Sequence, residues 1–210
     1  MVLSSGYYKN QRREVAALVE QSAVTILDVG CGYGFLGSLL KKQRSDRIVI
    51  GIEKNPEAAK HASEILDHVV NMDVGSAEFP DLKLKFDCII FADILEHLQD
   101  PLSTLTKFLE YLRDDGKIVC SIPNMRHYTV LLRLLRSGWE YDDYGLFDRT
   151  HLRFFSLRSI TQLFLDAGLS IEVINPKVVA SKKMLILNHL FFNKLYEFVA
   201  MQYIVRAKKQ

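Results

Sequence analysis

One short stretch of the sequence combines carboxylates with an imidazole at a spacing that can do chemistry. Asp93, Glu96 and His97 occupy positions i, i+3 and i+4, so they share one face if Asp93 opens a helix. A further imidazole, His151, follows in a polar run. Histidine titrates near neutral pH, so His97 and His151 are the predicted catalytic residues, taking a proton from an attacking hydroxyl group.

A second stretch is suited to binding a ligand through its backbone. The apolar run Thr25–Val29 predicts a buried strand; the glycines of residues 30–34 and a helical apolar pattern follow it. Glycine lets a ligand approach the backbone closely, and the helix start offers unpaired N–H groups. Residues 32–37 match the dinucleotide-binding fingerprint. However, the carboxylate of Asp28 would repel a pyrophosphate and would suit a cationic ligand.

Acidic residues recur where predicted strands end. Asp28, Glu53, Asp73 and Asp93 each follow or end an apolar run. Apolar runs alternate with helical patterns, which predicts an α/β protein with an open parallel sheet. Ligands of such sheets bind at the carboxyl ends of the strands, so we expect the four acids at one edge.

The order of these motifs resembles that of class I S-adenosylmethionine-dependent methyltransferases. The resemblance rests on residues 28–34, Glu53, Asp73 and the run Phe-Ala-Asp-Ile-Leu-Glu-His-Leu at 91–98, and it spans about residues 24–124. It implies a Rossmann-like three-layer sandwich whose mostly parallel seven-stranded sheet ends in an antiparallel strand. Residues 148–156 resemble bacterial small-molecule and sugar methyltransferases and ubiquinone-pathway O-methyltransferases.

The resemblance also implies a cofactor, S-adenosyl-L-methionine (AdoMet), and roles for individual residues. The glycine loop would line the methionine part, Glu53 would accept hydrogen bonds from the two ribose hydroxyls, and Asp73 would accept one from the adenine amino group. Met72 and Val74 would flank the adenine ring. The predicted cofactor-binding residues are Asp28, Gly30, Cys31, Gly32, Gly34, Glu53, Met72, Asp73, Val74 and Asp93.

Two interpretations of Asp93 and Glu96 stay open. Asp93 can cap a helix whose third residue, Glu96, completes a capping box. Alternatively, the group can bind a metal: in the small-RNA 2′-O-methyltransferases an acid, a Glu-His pair and a later His bind a divalent ion. This chain has Asp93 where that family has Glu, and we expect no metal.

The predicted function is AdoMet-dependent methyl transfer to an oxygen atom of a small molecule, such as a sugar or a phenolic intermediate. One alternative is an NAD-binding oxidoreductase, although that would not account for Asp73 or for residues 93–97. A non-catalytic AdoMet-binding subunit that regulates a partner is another. An RNA 2′-hydroxyl is the alternative acceptor.

Length and composition set further limits. The 210 residues predict a single methyltransferase domain, 1–210, with a substrate-cover insertion at about 125–155 and a second insertion at about 181–198. A net charge of +2 gives no general attraction to nucleic acid. Cys31, Cys88 and Cys120 are predicted to be buried thiols. No signal-peptide core or transmembrane run is evident, which predicts a cytoplasmic protein.

Periodicity and capping residues also predict individual elements. Helices are expected at about 8–20, capped by Ser4 and Ser5, and after Asn55, Asp100 and Ser156. Further helices are expected at 125–136 and 184–198. Strands five, six and seven are expected at 117–122, 169–174 and 199–207.

Overall fold

The computed structural model describes residues 12–75, 82 and 84–210, and seven strands of these residues form one sheet in the order β3-β2-β1-β4-β5-β7-β6. The strands are β1 (Thr25–Val29), β2 (Ile48–Glu53), β3 (His68–Asn71), β4 (Phe86–Ala92), β5 (Leu112–Pro123), β6 (Leu169–Val178) and β7 (Ala200–Lys209). The helices are α1 (Arg13–Ala16), α2 (Phe35–Gln43), α3 (Pro56–Ala62), α4 (Pro101–Phe108), α5 (Tyr128–Ser137), α6 (Leu157–Asp166), α7 (Lys182–Leu190) and α8 (Tyr196–Val199).

The strands β1 to β5 pair in parallel, and the strand order reverses direction on either side of β1. Leu27 on β1, for example, lies beside Ile50 of β2 and Ile89 of β4. The carboxyl ends of β1, β2 and β4 therefore meet at one edge, at the point where an open α/β sheet forms a ligand-binding crevice.

Strand β7 is antiparallel and lies between β5 and β6. Because β6 is also antiparallel to β7, it runs in the same direction as β5. The end of β6 and the start of β7 therefore lie at the same edge of the sheet as the carboxyl ends of the parallel strands. The predicted fold class, including the antiparallel last strand, is confirmed.

Both faces of the sheet are covered, which explains the nearly continuous apolar runs of its central strands. Adjacent residues of β1 point to opposite faces: Leu27 packs in one core cluster and Ile26 in the other. The first cluster includes Phe108 of α4 and Phe164 of α6, and the second includes Leu40 of α2. The three cysteines are free and buried, as expected.

Three of the predicted helix starts are confirmed by their caps. The side chain of Asn55 accepts hydrogen bonds from the backbone N–H groups of the first turn of α3, and Pro56 takes the first helical position. Asp100 caps α4 in the same way. Ser156 caps α6 and forms a capping box with Ser159.

Other predicted elements were wrong in extent. Strand β5 begins at Leu112 and bulges before Lys117 pairs with Cys88, and β6 continues to Val178. The helix expected at 184–198 is interrupted by Phe192 and Asn193, whose left-handed backbone (φ 52° and 60°) ends α7.

The first helix is also shorter than expected. Helix α1 ends at Ala16, after which Leu18 and Val19 bond to the carbonyls three residues earlier, as in a 3-10 turn. Ser4, Ser5 and the start of the expected helix lie outside the described residues. Within the described ranges, every helix is too short or too polar to cross a bilayer.

Candidate functional site

A cleft of about 560 Å³ opens at the carboxyl edge of the sheet. Its walls come from the loops that follow β1, β2, β3 and β4, together with Arg12 and with Asp148, Thr150 and Leu152 of the first insertion. All the acids predicted to meet at this edge, Asp28, Glu53, Asp73 and Asp93, line the cleft.

The floor of the cleft is the glycine loop between β1 and α2. Gly30 has a φ of 74°, and a Cβ built there would lie 2.0 Å from the Cδ1 of Ile94, so only glycine fits. Gly32 and Cys31 line the cleft beside it. Gly34 is placed differently from the prediction: it caps α2 with a φ of 79°, and α3 packs against it. Gly34 thus lies outside the residues that line the cleft.

Asp28 is the most unusual group in the cleft. Its side chain is 1% exposed, and neither carboxylate oxygen has a hydrogen-bond partner among the described residues. Burial, assisted by the nearby charge of Glu53, raises the pKa of Asp28 to about 7. A buried carboxylate without a partner is costly, and a cationic ligand group would offset that cost.

Glu53 has the opposite character, since both of its carboxylate oxygens are held. Oε2 accepts a hydrogen bond from the N–H of Gly32 (2.9 Å), and Oε1 accepts one from the N–H of Asn55 (2.8 Å). A carboxylate oxygen can accept two bonds, so each retains one acceptor site. Glu53 is thus fixed in orientation and can still accept bonds from two ligand hydroxyls.

The loop after β3 forms a third part of the wall. Met72 and Val74 are half-buried and line the cleft, as does Asp73 between them. Asp73 is exposed, and its Oδ1 accepts a hydrogen bond from the N–H of Gly75 (2.9 Å). Two apolar side chains can pack against the faces of an aromatic base, and a carboxylate between them can accept a hydrogen bond from its amino group.

The helix-cap interpretation of Asp93 was wrong. Asp93 has a left-handed φ of 57°, and the residues after it form only a 3-10 turn, Leu95–His97, whose cap residue is Ile94. The Asp93 carboxylate instead forms an ion pair with Arg12 and accepts hydrogen bonds from Ser121 and Gln202. These partners come from distant segments, and Asp93 is not part of the cluster that Glu96 and His97 form with His151.

Glu96, His97 and His151 come together without Asp93. The rings of His97 and His151 are 4.8 Å apart, and ligand atoms of all three residues lie within 4.8 Å of one another. His97 lines the cleft, whereas His151 lies behind it, 9% exposed. Glu96 is buried, with one oxygen unpartnered among the described residues, and burial raises its pKa to about 8.

The hydrogen bonds of His97 fix its tautomer. Its Nδ1 lies 3.1 Å from the carbonyl oxygen of Thr150, which can only accept, so Nδ1 carries the proton. The Thr150 hydroxyl, 3.0 Å from the same nitrogen, donates to Asp148 (2.6 Å). Nε2 of His97 is therefore left as a proton acceptor.

Both imidazoles are neutral near pH 7. Burial lowers the pKa of His97, and it lowers the pKa of His151 with a further contribution from His97. Such a pair can accept a proton. With Glu96 ionised, the same atoms form a set of two nitrogens and one carboxylate that can hold a divalent metal.

Several residues of the site were missed by the sequence predictions. Asp148 and Thr150 lie in the run 148–156, so its resemblance to known methyltransferases was the available signal. Arg12, Ser121 and Gln202 have no comparable signal, because each reaches Asp93 only through the tertiary fold.

Comparison with known sequences gives one family and several relatives. A family model described as "Methyltransferase domain" matches residues 7–173. A ubiquinone biosynthesis O-methyltransferase from Cereibacter sphaeroides is 27% identical over 60% of this chain and 52% of its own length. Its mitochondrial counterpart from Schizosaccharomyces pombe is 33% identical over 54% of this chain and 42% of its own.

A third relative is named after a protein as its methyl acceptor. The ribosomal protein L11 methyltransferase from Thermosipho africanus is 30% identical over 55% of this chain and 46% of its own length. This chain thus spans about half the length of the curated relatives that it matches.

Solved structures share the fold at lower identity. A methyltransferase from Archaeoglobus fulgidus, described as SAM-dependent, has a TM-score of 0.66 and 19% identity and covers 95% of both chains. The plantazolicin methyltransferase BpumL, solved with SAH, has a TM-score of 0.65 and 20% identity over 94% of this chain and 80% of its own. At such identities the likeness concerns the fold.

Proposed function

This chain belongs to the class I S-adenosylmethionine-dependent methyltransferases, and from that premise we propose that it transfers the methyl group of AdoMet to an oxygen atom of a small molecule. The family assignment made from the motifs at residues 28–34, 53, 73 and 91–98 is confirmed by the methyltransferase-domain match. The same match favours this function over the NAD-dependent oxidoreductase.

The observation that carries the cofactor proposal is the unpartnered carboxylate of Asp28 in the floor of the cleft. AdoMet has an ammonium group and a sulfonium centre, and a buried anion stabilises such cations. When bound, the cofactor supplies a methyl group activated by its positive sulfur. Glu53 and Asp73 complete the set, with acceptor oxygens for the ribose hydroxyls and for the adenine amino group.

The acceptor side of the proposal rests on His97. Nε2 of its neutral ring takes the proton that an acceptor hydroxyl loses as its oxygen attacks the methyl carbon. The bond from Nδ1 to the Thr150 carbonyl holds the ring in the required tautomer. His151, packed edge-on against His97, orients that ring. No covalent enzyme intermediate is needed, and alignment of the two reactants is the main catalytic contribution.

An oxygen acceptor is supported by two further points. Two of the three relatives described above are named O-methyltransferases. In addition, a hydroxyl must lose a proton during the reaction, and the cleft contains a group placed to take it. The sugar and phenol classes both present such hydroxyls.

The test has two stages. Isothermal titration with AdoMet, its demethylated product and NADH measures the cofactor preference; binding of NADH without AdoMet would refute the proposal. Transfer of a labelled methyl group to phenols, nucleotide sugars, short RNAs and ribosomal protein L11 then identifies the acceptor. AdoMet binding with no transfer to any acceptor would favour the regulatory subunit.

A metal-assisted form of the same reaction is a second candidate. The observation in its favour is the buried Glu96 oxygen that lacks a partner, within 4.8 Å of ligand atoms of His97 and His151. The helix-cap argument for expecting no metal no longer holds. Turnover lost on chelation and restored by magnesium or manganese would identify this form. Turnover that survives chelation would identify metal-free proton transfer to His97.

A further inference from the structure

Two helices near the cleft expose apolar surface that the fold does not cover. In α5 only Val130 is buried, while Leu135 is 85% exposed. In α7 only Asn188 is buried, while Ile186 and Leu190 are 60% and 67% exposed. The apolar face of an amphipathic helix such as α5 is normally packed against the protein, and a helix with apolar residues on most sides, such as α7, is normally enclosed; the exposed apolar surface therefore indicates a binding partner.

The turn after α7 adds the most exposed aromatic side chain of the described residues. Phe192 is 86% exposed and has a left-handed φ of 52°. A bulky residue is rare in that conformation, which Asn or Gly adopts more readily. The turn thus holds a large ring out in solvent in a backbone conformation that disfavours it.

Hydrogen bonds join the starts of the two helices, and we call α5 together with residues 178–196 the insertion face. The Nε2 of His127 donates to the carbonyl of Val179 (2.7 Å), and the N–H of Ser181 donates to the Tyr128 hydroxyl (3.3 Å). Both helices follow strands that end at the carboxyl edge of the sheet. The insertion face therefore lies on the same side of the molecule as the mouth of the cleft.

Aromatic side chains connect the insertion face to the cleft. The guanidinium of Arg133 on α5 lies 4.3 Å above the ring of Phe147, which contacts Trp139 at 5.1 Å. Trp139 contacts Phe154 at 4.9 Å, two residues beyond Leu152 in the cleft wall. Partly exposed tryptophan and tyrosine beside an apolar surface are typical of groups at a membrane interface.

The two chain segments around this surface themselves carry only positive charge, and acids from neighbouring segments pair with three of their cations: Glu197 with Arg126, Asp142 with Arg133 and Glu14 with Lys177. Residues 125–138 contain three arginines and residues 173–196 contain four lysines, and neither segment contains an acid. Of these cations, Arg136, Lys182, Lys183 and Lys194 form no ion pair among the described residues. Lys182 and Lys183 also occupy the first turn of α7, where the helix dipole disfavours positive charge. An anionic partner would remove this cost.

We propose that the insertion face docks on the surface of an anionic phospholipid bilayer, with its apolar residues in the interface and its lysines among the headgroups. Apolar side chains flanked by unpaired cations bind such surfaces through both contributions. A second copy of the chain fits less well, because a two-fold contact through this face would bring its cations together. The proposal goes beyond methyl transfer and does not depend on it.

The experiment is flotation of the full chain with vesicles of phosphatidylcholine, with and without phosphatidylglycerol, in the absence of cofactor and acceptor. We expect binding to the anionic vesicles, and its loss at about 1 M salt, where charges are screened within about 3 Å. No binding to the anionic vesicles would overturn the proposal, as would a salt-resistant dimer formed through this face without vesicle binding.

Two variants separate docking from folding. Lys182→Glu with Lys183→Glu should weaken binding at least about 30-fold, since each basic residue at an anionic surface contributes about fivefold. Because acids suit the start of α7, this variant should not lose stability. Phe192→Asn should also weaken binding while it relaxes the turn.

The matched controls lie away from the insertion face. Leu165 on α6 is 48% exposed, so Leu165→Ser removes a comparable apolar side chain, and Lys42→Glu reverses an exposed charge on α2. Both should bind as the wild type does. Equal losses in controls and variants would mean non-specific adsorption and would overturn the proposal.

Discussion

The cofactor side of the cleft, formed by the loops after β1, β2, β3 and β4, buries polar groups. The insertion face, formed by α5 and residues 178–196, exposes apolar ones. On the cofactor side, regular strands place Asp28 and Glu53 within a few ångströms of the glycine loop, and each sits in a defined environment. On the insertion face, Leu135 and Phe192 have little of the protein around them. The comparison indicates that one side is complete for a small ligand, while the other requires a partner surface.

The largest effect is expected on turnover, and it tests whether His97 acts on the acceptor or belongs to the cofactor side. His97→Ala should lower turnover by roughly 10²–10⁴, the usual contribution of a general base, with AdoMet affinity nearly unchanged. Steady-state kinetics and calorimetry measure the two quantities. His68→Ala, on the exposed strand β3, is the control. Loss of AdoMet affinity in His97→Ala would mean that His97 belongs to the cofactor side.

His151→Ala is the companion test. If His151 orients the ring of His97, the variant should lose part of the same turnover and shift the pH profile of kcat, while it still binds AdoMet. Full turnover in this variant would show that His151 has no part in the reaction. An unfolded variant, by circular dichroism, would mark it as structural.

On the cofactor side, Glu53→Ala should weaken AdoMet binding by about 1–3 kcal/mol, because ligand hydroxyls would be left unpaired. Titration calorimetry gives the value, and Glu64→Ala, exposed beyond α3, serves as the control. An affinity equal to that of the wild type would show that Glu53 is not the ribose acceptor.

Asp28→Asn should change how the free energy of unfolding depends on pH. The pKa of Asp28 is about 7 in the folded protein, and its reference value is 3.8. At a pH between these two values, Asp28 therefore holds a proton in the folded state that it has lost in the unfolded state. The free energy of unfolding should therefore fall as pH rises from about 4 to about 7, and Asp28→Asn should flatten that slope. Urea denaturation without cofactor measures it.

The same variant should bind AdoMet more weakly at pH 8, where the wild-type carboxylate is ionised. Stronger binding, or an unchanged slope of stability with pH, would contradict the role assigned to Asp28.

The smallest effect is expected in the first insertion. Arg133→Ala removes the partly exposed ion pair with Asp142 and the contact with the buried ring of Phe147, so stability should fall by about 1 kcal/mol. The acceptor KM should rise a few-fold while AdoMet affinity stays constant. Arg158→Ala on α6 is the control. A change in cofactor affinity would mean that the two sides are coupled.

Sequence patterns predicted the fold well where each element is decided locally. The capping side chains of Asn55, Asp100 and Ser156 mark their helices because a single residue satisfies the first N–H groups. The strands of the parallel sheet are marked by apolar runs because both faces are covered. The acids at their ends could be placed at one edge from topology alone.

Sequence patterns failed where distant segments decide the outcome. Asp93 fits a capping box in sequence, but Arg12, Ser121 and Gln202 hold its carboxylate elsewhere and only a 3-10 turn follows. Phe192 fits a continuing helix, yet its backbone is left-handed. In both cases local preference is overridden by contacts or turns that no short pattern encodes.

The position of β7 has a consequence for synthesis on the ribosome. It is made after β6 but lies between β5 and β6, so β6 has no place in the sheet until β7 has emerged. Until then β5 presents an open apolar edge, the kind of surface that chaperones hold. Gln202 of β7 then reaches Asp93, 109 residues earlier in the chain. We expect a nascent chain that ends after β6 to be retained by chaperones and to be released once β7 inserts.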